Sequence, residues 1–245
     1  LRMIFETFPV GLLQCNCAIL GDEATHEAIV IDPGDEVERI LAVLKQHDLK
    51  LRKIFNTHTH IDHVGANAEL RDHTGAEVCL HKADLPLLEN LKRQAAMIGI
   101  PEPPTSKVDA YLETGDVIRC GSILCQVMHT PGHTPGSLTF ETEFTGIGEK
   151  RGTRPVNSRG DFGQESGSSP RGTENVKQVL FTGDTLFSSS IGRTDLWGGS
   201  FETIMESLAR ILRKYDDSTL VYPGHGPATT IGRERRSNPF LQELS

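Results

Sequence analysis

The chain has 245 residues, 37% of them hydrophobic and 24% charged, enough to bury a sizeable core without disulfide staples. Its formal net charge of −8 argues against a broad phosphate-binding surface, and so against nucleic acid as a partner. No apolar run approaches membrane-spanning length and no secretory leader pattern is visible, so a cytoplasmic protein with no membrane partner is expected.

MIFETF, CNCAIL and EAIVID read as three strands, rich in branched and aromatic residues and separated by turn residues. DPGDEVERILAVLKQHD follows as a helix. Asp35 or Gly34 is its expected cap, and Val37, Ile40, Leu41 and Leu44 fall on one face. LRKIFNT is a short strand that runs into a histidine-rich stretch, NTHTHIDHVGAN. GANAELRDHTG reads as a helix stopped at Gly75, EVCLH as a strand, and KADLPLLENLKRQAAMIG as helical in parts.

A second run of strands starts near Tyr111 and continues through DVIRC, SILCQVMHT, GSLTFE and QVLFTGD. SFETIMESLARILRKY is the clearest helix: Ile204, Leu208, Ile211 and Leu212 share a face, and Ser200 or Thr203 can cap it. TLVYPGHG closes the pattern with a strand and a loop. Each half runs strands first and helices later, which predicts two similar β-rich layers, each covered by helices. The reading is one domain over 1–245. A low-complexity insertion rich in Gly, Ser, Arg, Glu and Pro interrupts it at about 145–177, either a partner-binding arm or a tolerated surface loop. The five cysteines lack zinc-finger spacing and read as buried, reduced thiols.

Chemistry concentrates in four strand-end loops. THTHIDH carries His58, His60, Asp62 and His63. His58 and His60 are two apart, and in extended chain such positions point to one side. Asp62 and His63 follow where the strand turns into a helix. Four candidate ligands on one short turn suit two neighbouring metals better than one. HTPGHTPGS supplies His133, FTGDTLF supplies Asp184, and YPGHGPATT supplies His225. The set divides into His58, His60 and His133 for one ion and Asp62, His63 and His225 for the other, with Asp184 shared. These ligands suit Zn²⁺ best, with Fe or Mn as alternatives. Two divalent ions against two aspartates leave about two positive charges, which would stabilise an oxyanion.

These four motifs together resemble the metallo-β-lactamase superfamily across nearly the whole chain outside the insertion. The resemblance implies a four-layer αββα sandwich, an α+β (α/β) fold, with a dinuclear site at one sheet edge. The aspartate in TGDTLF and the tail TTIGRERRSNPFL are similar to the short, bacterial branch of glyoxalase II-like enzymes. That branch implies hydrolysis of a small-molecule thioester of the hydroxyacylglutathione (S-lactoylglutathione) type by a metal-bridging hydroxide, with Asp62 and Asp184 as catalytic residues.

The chain departs from that pattern in places. Only about twenty residues follow His225, where glyoxalase II carries a long helical region, and GPATT lacks the tyrosine often found there. Arg193 falls near a family substrate-binding lysine and reads either as a substrate-carboxylate contact or as a loop-pinning arginine. Arg233, Arg235 and Arg236 are further candidates for the same contact. His129 is expected to support the ligands or to pack, outside the ligand set. The alternatives are a mononuclear iron oxidoreductase like the persulfide dioxygenases, which share a similar GRTD segment, or another hydrolase of the same fold, a lactonase or phosphodiesterase.

Overall fold

Hydrophobic alternation organises the architecture. In a computed structural model of the protein, residues 3–145 and 176–244 are described. Strands β1 (Met3–Val10), β2 (Cys15–Asp22) and β3 (Glu27–Ile31) pair antiparallel in sequence. Three parallel strands extend this sheet: β4 (Lys50–Phe55), β5 (Glu77–Leu80) and β6 (Ala110–Tyr111). Parallel neighbours need crossovers. These are supplied by α1 (Val37–Gln46), by α2 (Ile61–Val64) with α3 (Asn67–Thr74), and by α4 (Leu85–Leu88) with α5 (Leu91–Ile98).

The second sheet contains β7 (Val117–Cys120), β8 (Ile123–His129), β9 (Leu138–Thr145) and β10 (Val176–Gly183), all antiparallel in sequence. A small hairpin follows, β11 (Leu186–Phe187) with β12 (Ser190–Ile191). Helix α6 (Phe201–Lys214) then crosses to β13 (Leu220–Pro223), which lies parallel to β10, and β14 (Thr229–Thr230) and α7 (Ile231–Ser237) end the sheet.

Successive strand residues face opposite sides, and each side has its own core. On β2, Ala18 and Leu20 point towards the second sheet, and Cys15, Cys17 and Ile19 towards the helices. Phe55 stacks on Phe140 across the sheets at 4.9 Å between centroids. Ile54 and Val78 pack under α1 and α3, while Leu180 and Val221 pack under α6. The result is the four-layer αββα sandwich. On α6 the four residues of the predicted face are all buried, each worth about 1.5–3 kcal/mol, and the Ser200 hydroxyl accepts from the Thr203 amide. All five cysteines are buried and unbridged. Among the described residues, no helix is long and apolar enough to cross a membrane.

Three local expectations change. Helix α1 is not capped by Asp35 or Gly34: Glu36 stands at its N-cap in the left-handed region and makes no side-chain cap bond. Gly34 is needed elsewhere, since a Cβ there would lie 1.6 Å from the Asp62 carbonyl oxygen. The strand at Tyr111 joins the first sheet through β5, so the second sheet begins at Val117. Helix α7 follows the strand expected to end the pattern, capped by the Thr230 hydroxyl. The expected insertion at about 145–177 lies outside the described residues except at its rims. There Thr145 pairs with Val176, and Phe144 with Lys177, across β9 and β10.

Candidate metal centre

Four loops meet at one edge of the sandwich, each following a strand: β4, β8, β10 and β13. His58 and His60 lie beyond the end of β4, in irregular chain rather than in the strand itself. Their rings still converge. His60 Nδ1 faces His58 Nε2 at 3.1 Å and His133 Nε2 at 2.9 Å. Asp62 and His63 sit on the short helix α2. His63 Nε2 lies 3.3 Å from His225 Nε2, and Asp62 Oδ2 lies 3.1 Å from the same His225 nitrogen.

Asp184 reaches both groups. Its Oδ2 is 3.6 Å from His133 Nε2 and 3.8 Å from His225 Nε2, and its Oδ1 is 3.5 Å from His63 Nε2. The structure therefore brings all seven sequence-chosen residues together, in the two triads His58–His60–His133 and Asp62–His63–His225.

The donor chemistry fits cations. One nitrogen, His60 Nδ1, faces two others, and a single proton cannot satisfy three converging nitrogens. A tetrahedral ion with bonds of about 2.0–2.1 Å holds its ligand nitrogens about 3.3 Å apart, close to the spacings found. Asp184 Oδ1 is buried without a hydrogen-bond partner, a costly arrangement for a carboxylate oxygen unless an ion completes it.

The far ring nitrogens of His58, His63 and His133 are held by neighbours, the arrangement that orients ligand histidines. His58 Nδ1 lies 3.1 Å from the Thr57 hydroxyl, and His63 Nδ1 lies 3.0 Å from Asp32 Oδ2. His133 Nδ1 donates to the Arg193 carbonyl at 2.8 Å. Burial, then repulsion among neighbouring histidines, pushes the His58 pKa well down, and the same causes take His60 down to about 3. Burial also lowers His133, against the pull of Asp184. The three-histidine triad is thus neutral, the ligating form. Burial alone would lower His63, but Cys15, Asp62, Asp184 and Asp32 around it raise it instead. Burial would raise Asp62, but His63 and His225 hold its carboxyl below the usual range.

Three polar residues that the sequence reading did not single out brace the histidine loop, and Asp32 and Asp84 among them are buried. Asp32 accepts from the Thr57 amide at 2.7 Å and from its hydroxyl at 2.6 Å. Gln94 donates to the Thr59 carbonyl at 3.3 Å and accepts from the Ile61 amide at 2.9 Å. Asp84 accepts from the Thr59 amide at 3.1 Å. Nothing local distinguishes them: Asp84 before Leu85–Pro86 has the pattern of a helix cap, yet it makes no cap bond.

The remaining candidates lie around this centre or apart from it. The exposed Arg193 guanidinium pairs with both carboxylate oxygens of Asp195 at 2.7 and 2.8 Å, and its charge reaches His60. Arg235 donates to the Leu212 and Tyr215 carbonyls and pairs with Asp217, and Arg236 also pairs with Asp217. Those two arginines tie α7 to the end of α6. Arg233 is exposed on α7. His129 stacks on His81 at 3.9 Å and donates to the Pro135 carbonyl, within the His133 loop.

Known proteins resemble the chain over most of its length. The family model described as the metallo-beta-lactamase superfamily matches residues 10–147 and 167–225. Hydroxyacylglutathione hydrolase GloC of Haemophilus influenzae is 35% identical, over 99% of this chain and 100% of that protein. Among solved structures, the B3 metallo-beta-lactamase BLEG-1 superposes with a TM-score of 0.76 at 32% identity, covering 97% of this chain and 99% of its own. TTHA1623 in a di-iron-bound form gives 0.70 at 36%, covering 95% and 98%. ETHE1 from Myxococcus xanthus gives 0.71 at 29%, covering 99% and 90%. With four loops of candidate ligands on the sandwich edge and a family match spanning most of its length, the chain belongs to the metallo-beta-lactamase superfamily.

Proposed function

We propose that the chain is a metal-dependent hydrolase of hydroxyacylglutathione-type thioesters, S-lactoylglutathione being the representative substrate. The observation that carries the two-metal part is Asp184, one carboxylate within 3.8 Å of ring nitrogens from both triads. The thioester part rests on full-length similarity to a protein named hydroxyacylglutathione hydrolase. In this reading His58, His60 and His133 would hold one divalent ion, Asp62, His63 and His225 would hold the other, and Asp184 would serve both. Zinc suits the donors, and the di-iron form of TTHA1623 makes iron the competing choice.

Bound divalent ions would supply a nucleophilic water at neutral pH and Lewis acidity towards the scissile carbonyl. The protein's part is placement and proton handling. Asp62 stays ionised between His63 and His225, so its carboxylate can accept a hydrogen bond and orient the attacking water. Asp184 fixes the separation of the two triads. Arg193 is the basic side chain assigned to a substrate carboxylate. Its exposed pair with Asp195 contributes little, so exchanging that carboxylate for the substrate's costs little.

The test is metal content measured beside turnover on thioester, lactone and phosphodiester substrates. Two ions per chain with thioester cleavage dominant supports the proposal. Preference for a lactone or phosphodiester would retain the hydrolase and reject the substrate. The likeness to ETHE1 favours one second reading, a mononuclear iron oxidoreductase acting on glutathione persulfide. One iron per chain, with oxygen consumed on that substrate, would establish it instead.

A further inference from the structure

Asp84 is fully buried at the turn after β5 and forms no ion pair with any described residue. All its side-chain hydrogen bonds go to two loops. Oδ2 accepts from the Thr59 amide at 3.1 Å and the Thr134 hydroxyl at 2.8 Å, and Oδ1 accepts from the Gly136 amide at 2.6 Å. Its own carbonyl accepts from the Thr59 hydroxyl at 2.9 Å. Thr59 stands between His58 and His60, and Thr134 directly follows His133. One carboxylate therefore joins the chain segments that carry all three histidines of the first triad.

Burying a carboxylate without a cation is unfavourable. Burial raises the Asp84 pKa to about 6 despite its three donors. An apolar side chain would fill the same space without that cost, but it would leave the Thr59 and Gly136 amides unpaired. The contact at Gly136 is also closely fitted, since a Cβ there would lie 2.6 Å from Asp84 Oδ1.

We propose that Asp84 is a positioning residue for the three-histidine half of the metal centre, holding the His58–His60 loop and the His133 loop at a fixed separation. The inference rests on the two-metal reading above and is independent of the substrate. It assigns Asp84 no contact with substrate or metal. It predicts that the two halves of the centre respond unequally when the joint is loosened.

Asn at position 84 must set its amide hydrogens against an N–H or O–H donor, because all three partners donate to the carboxylate. Thr134→Val removes the hydroxyl's bonds to Asp84 and Ser137 at nearly constant volume, and Thr134→Ser keeps the hydroxyl. The experiment is a Co²⁺ titration of the metal-stripped full chain, followed by absorption and chelator competition, for wild type, Asp84→Asn, Thr134→Val and Thr134→Ser. Melting of each metal-free protein is measured in parallel.

For Asp84→Asn, one of the two binding steps should weaken about 10–100-fold, the range for residues that orient ligands, while the other stays within about threefold. Thr134→Val should weaken the same step to a smaller degree, and Thr134→Ser should match wild type. If Asp84→Asn does not fold, the contrast between Val and Ser at Thr134 decides. Unchanged affinities, or both steps weakened alike together with a lowered metal-free Tm, would overturn the positioning role. A wild type that binds no Co²⁺ would overturn the metal centre itself, and this inference with it.

Discussion

Gly224→Ala tests how closely the centre is packed. Gly224 directly precedes His225. A Cβ built on it would stand 2.2 Å from Asp184 Oδ1 and 2.7 Å from His63 Cε1. A close carbon–oxygen contact lies at about 3.3 Å, so one methyl group requires a displacement of about 1 Å. The Gly224 backbone is poorly placed to provide it. Its amide donates to the Gly183 carbonyl at 2.8 Å, and its carbonyl accepts from the Asn16 amide at 2.7 Å. The displacement therefore falls on Asp184 and His63, the carboxylate proposed to bridge the ions and a ligand of the second. Misplacement of about 1 Å costs on the order of 100-fold in rate, and overpacking costs about 1–3 kcal/mol of stability. The control is Gly75→Ala, at the left-handed cap of α3, where an added Cβ meets nothing within 4 Å. That variant should lose about 1–2 kcal/mol and keep its metals. The assay is metal content and S-lactoylglutathione turnover beside urea denaturation. Gly224→Ala with wild-type metal content and turnover would refute the packing argument around Asp184.

Asp184→Asn removes the charge shared by the triads, so metal content should fall from two ions towards one and turnover should drop at least about 100-fold, read by elemental analysis and initial rates. Leu208 is fully buried on α6, and Leu208→Ala should cost about 2–5 kcal/mol in urea denaturation of the metal-free protein. Glu141 accepts from Lys214 at 2.6 Å, Tyr215 at 2.7 Å and Gln178 at 2.6 Å. Burial would raise its carboxyl, but the Lys214 and Tyr215 contacts hold it below its usual range. A depressed carboxyl contributes its full stability above the unfolded value of about 4.3 and loses it as pH falls through the folded value. The Tm gap between wild type and Glu141→Gln should therefore be full at pH 7 and narrow below about pH 4; a gap that persists unchanged on acidification would contradict the assignment.

What was legible in the sequence follows from how local each signal is. The seven candidate ligands are visible from local chemistry: His58, His60, Asp62 and His63 crowd into one short stretch after a β-rich run, and His133, Asp184 and His225 each stand beside a glycine after another. The longer strands and the apolar face of α6 are likewise written in short-range periodicity. Contacts that depend on distant partners are not. Asp84 acts on Thr59, 25 residues away, and on Thr134, 50 away, so its role exists only once two loops meet. Gln94 reaches back to the Thr59 carbonyl across 35 residues. Gly34 looks like a cap until the Asp62 carbonyl is placed against it. Tyr111 belongs to a strand of two residues, too short for periodicity, and only its partner β5 fixes its sheet. Helix α7 is seven residues long with three arginines, which disguises a helix as a charged tail. Arg235, chosen from sequence as a possible substrate contact, instead closes the C-terminal carbonyls of α6.

In the proposed function, two ions held by seven residues and sharing Asp184 would support cleavage of a thioester. The most direct measurement is stepwise reconstitution of the metal-free chain with Zn²⁺ or Fe²⁺, with S-lactoylglutathione hydrolysis followed at each equivalent added. Activity should rise to a maximum at two equivalents and be lost in Asp184→Asn. Saturation at one equivalent of iron, with no thioester cleavage and with oxygen consumed on glutathione persulfide, would contradict the proposed function.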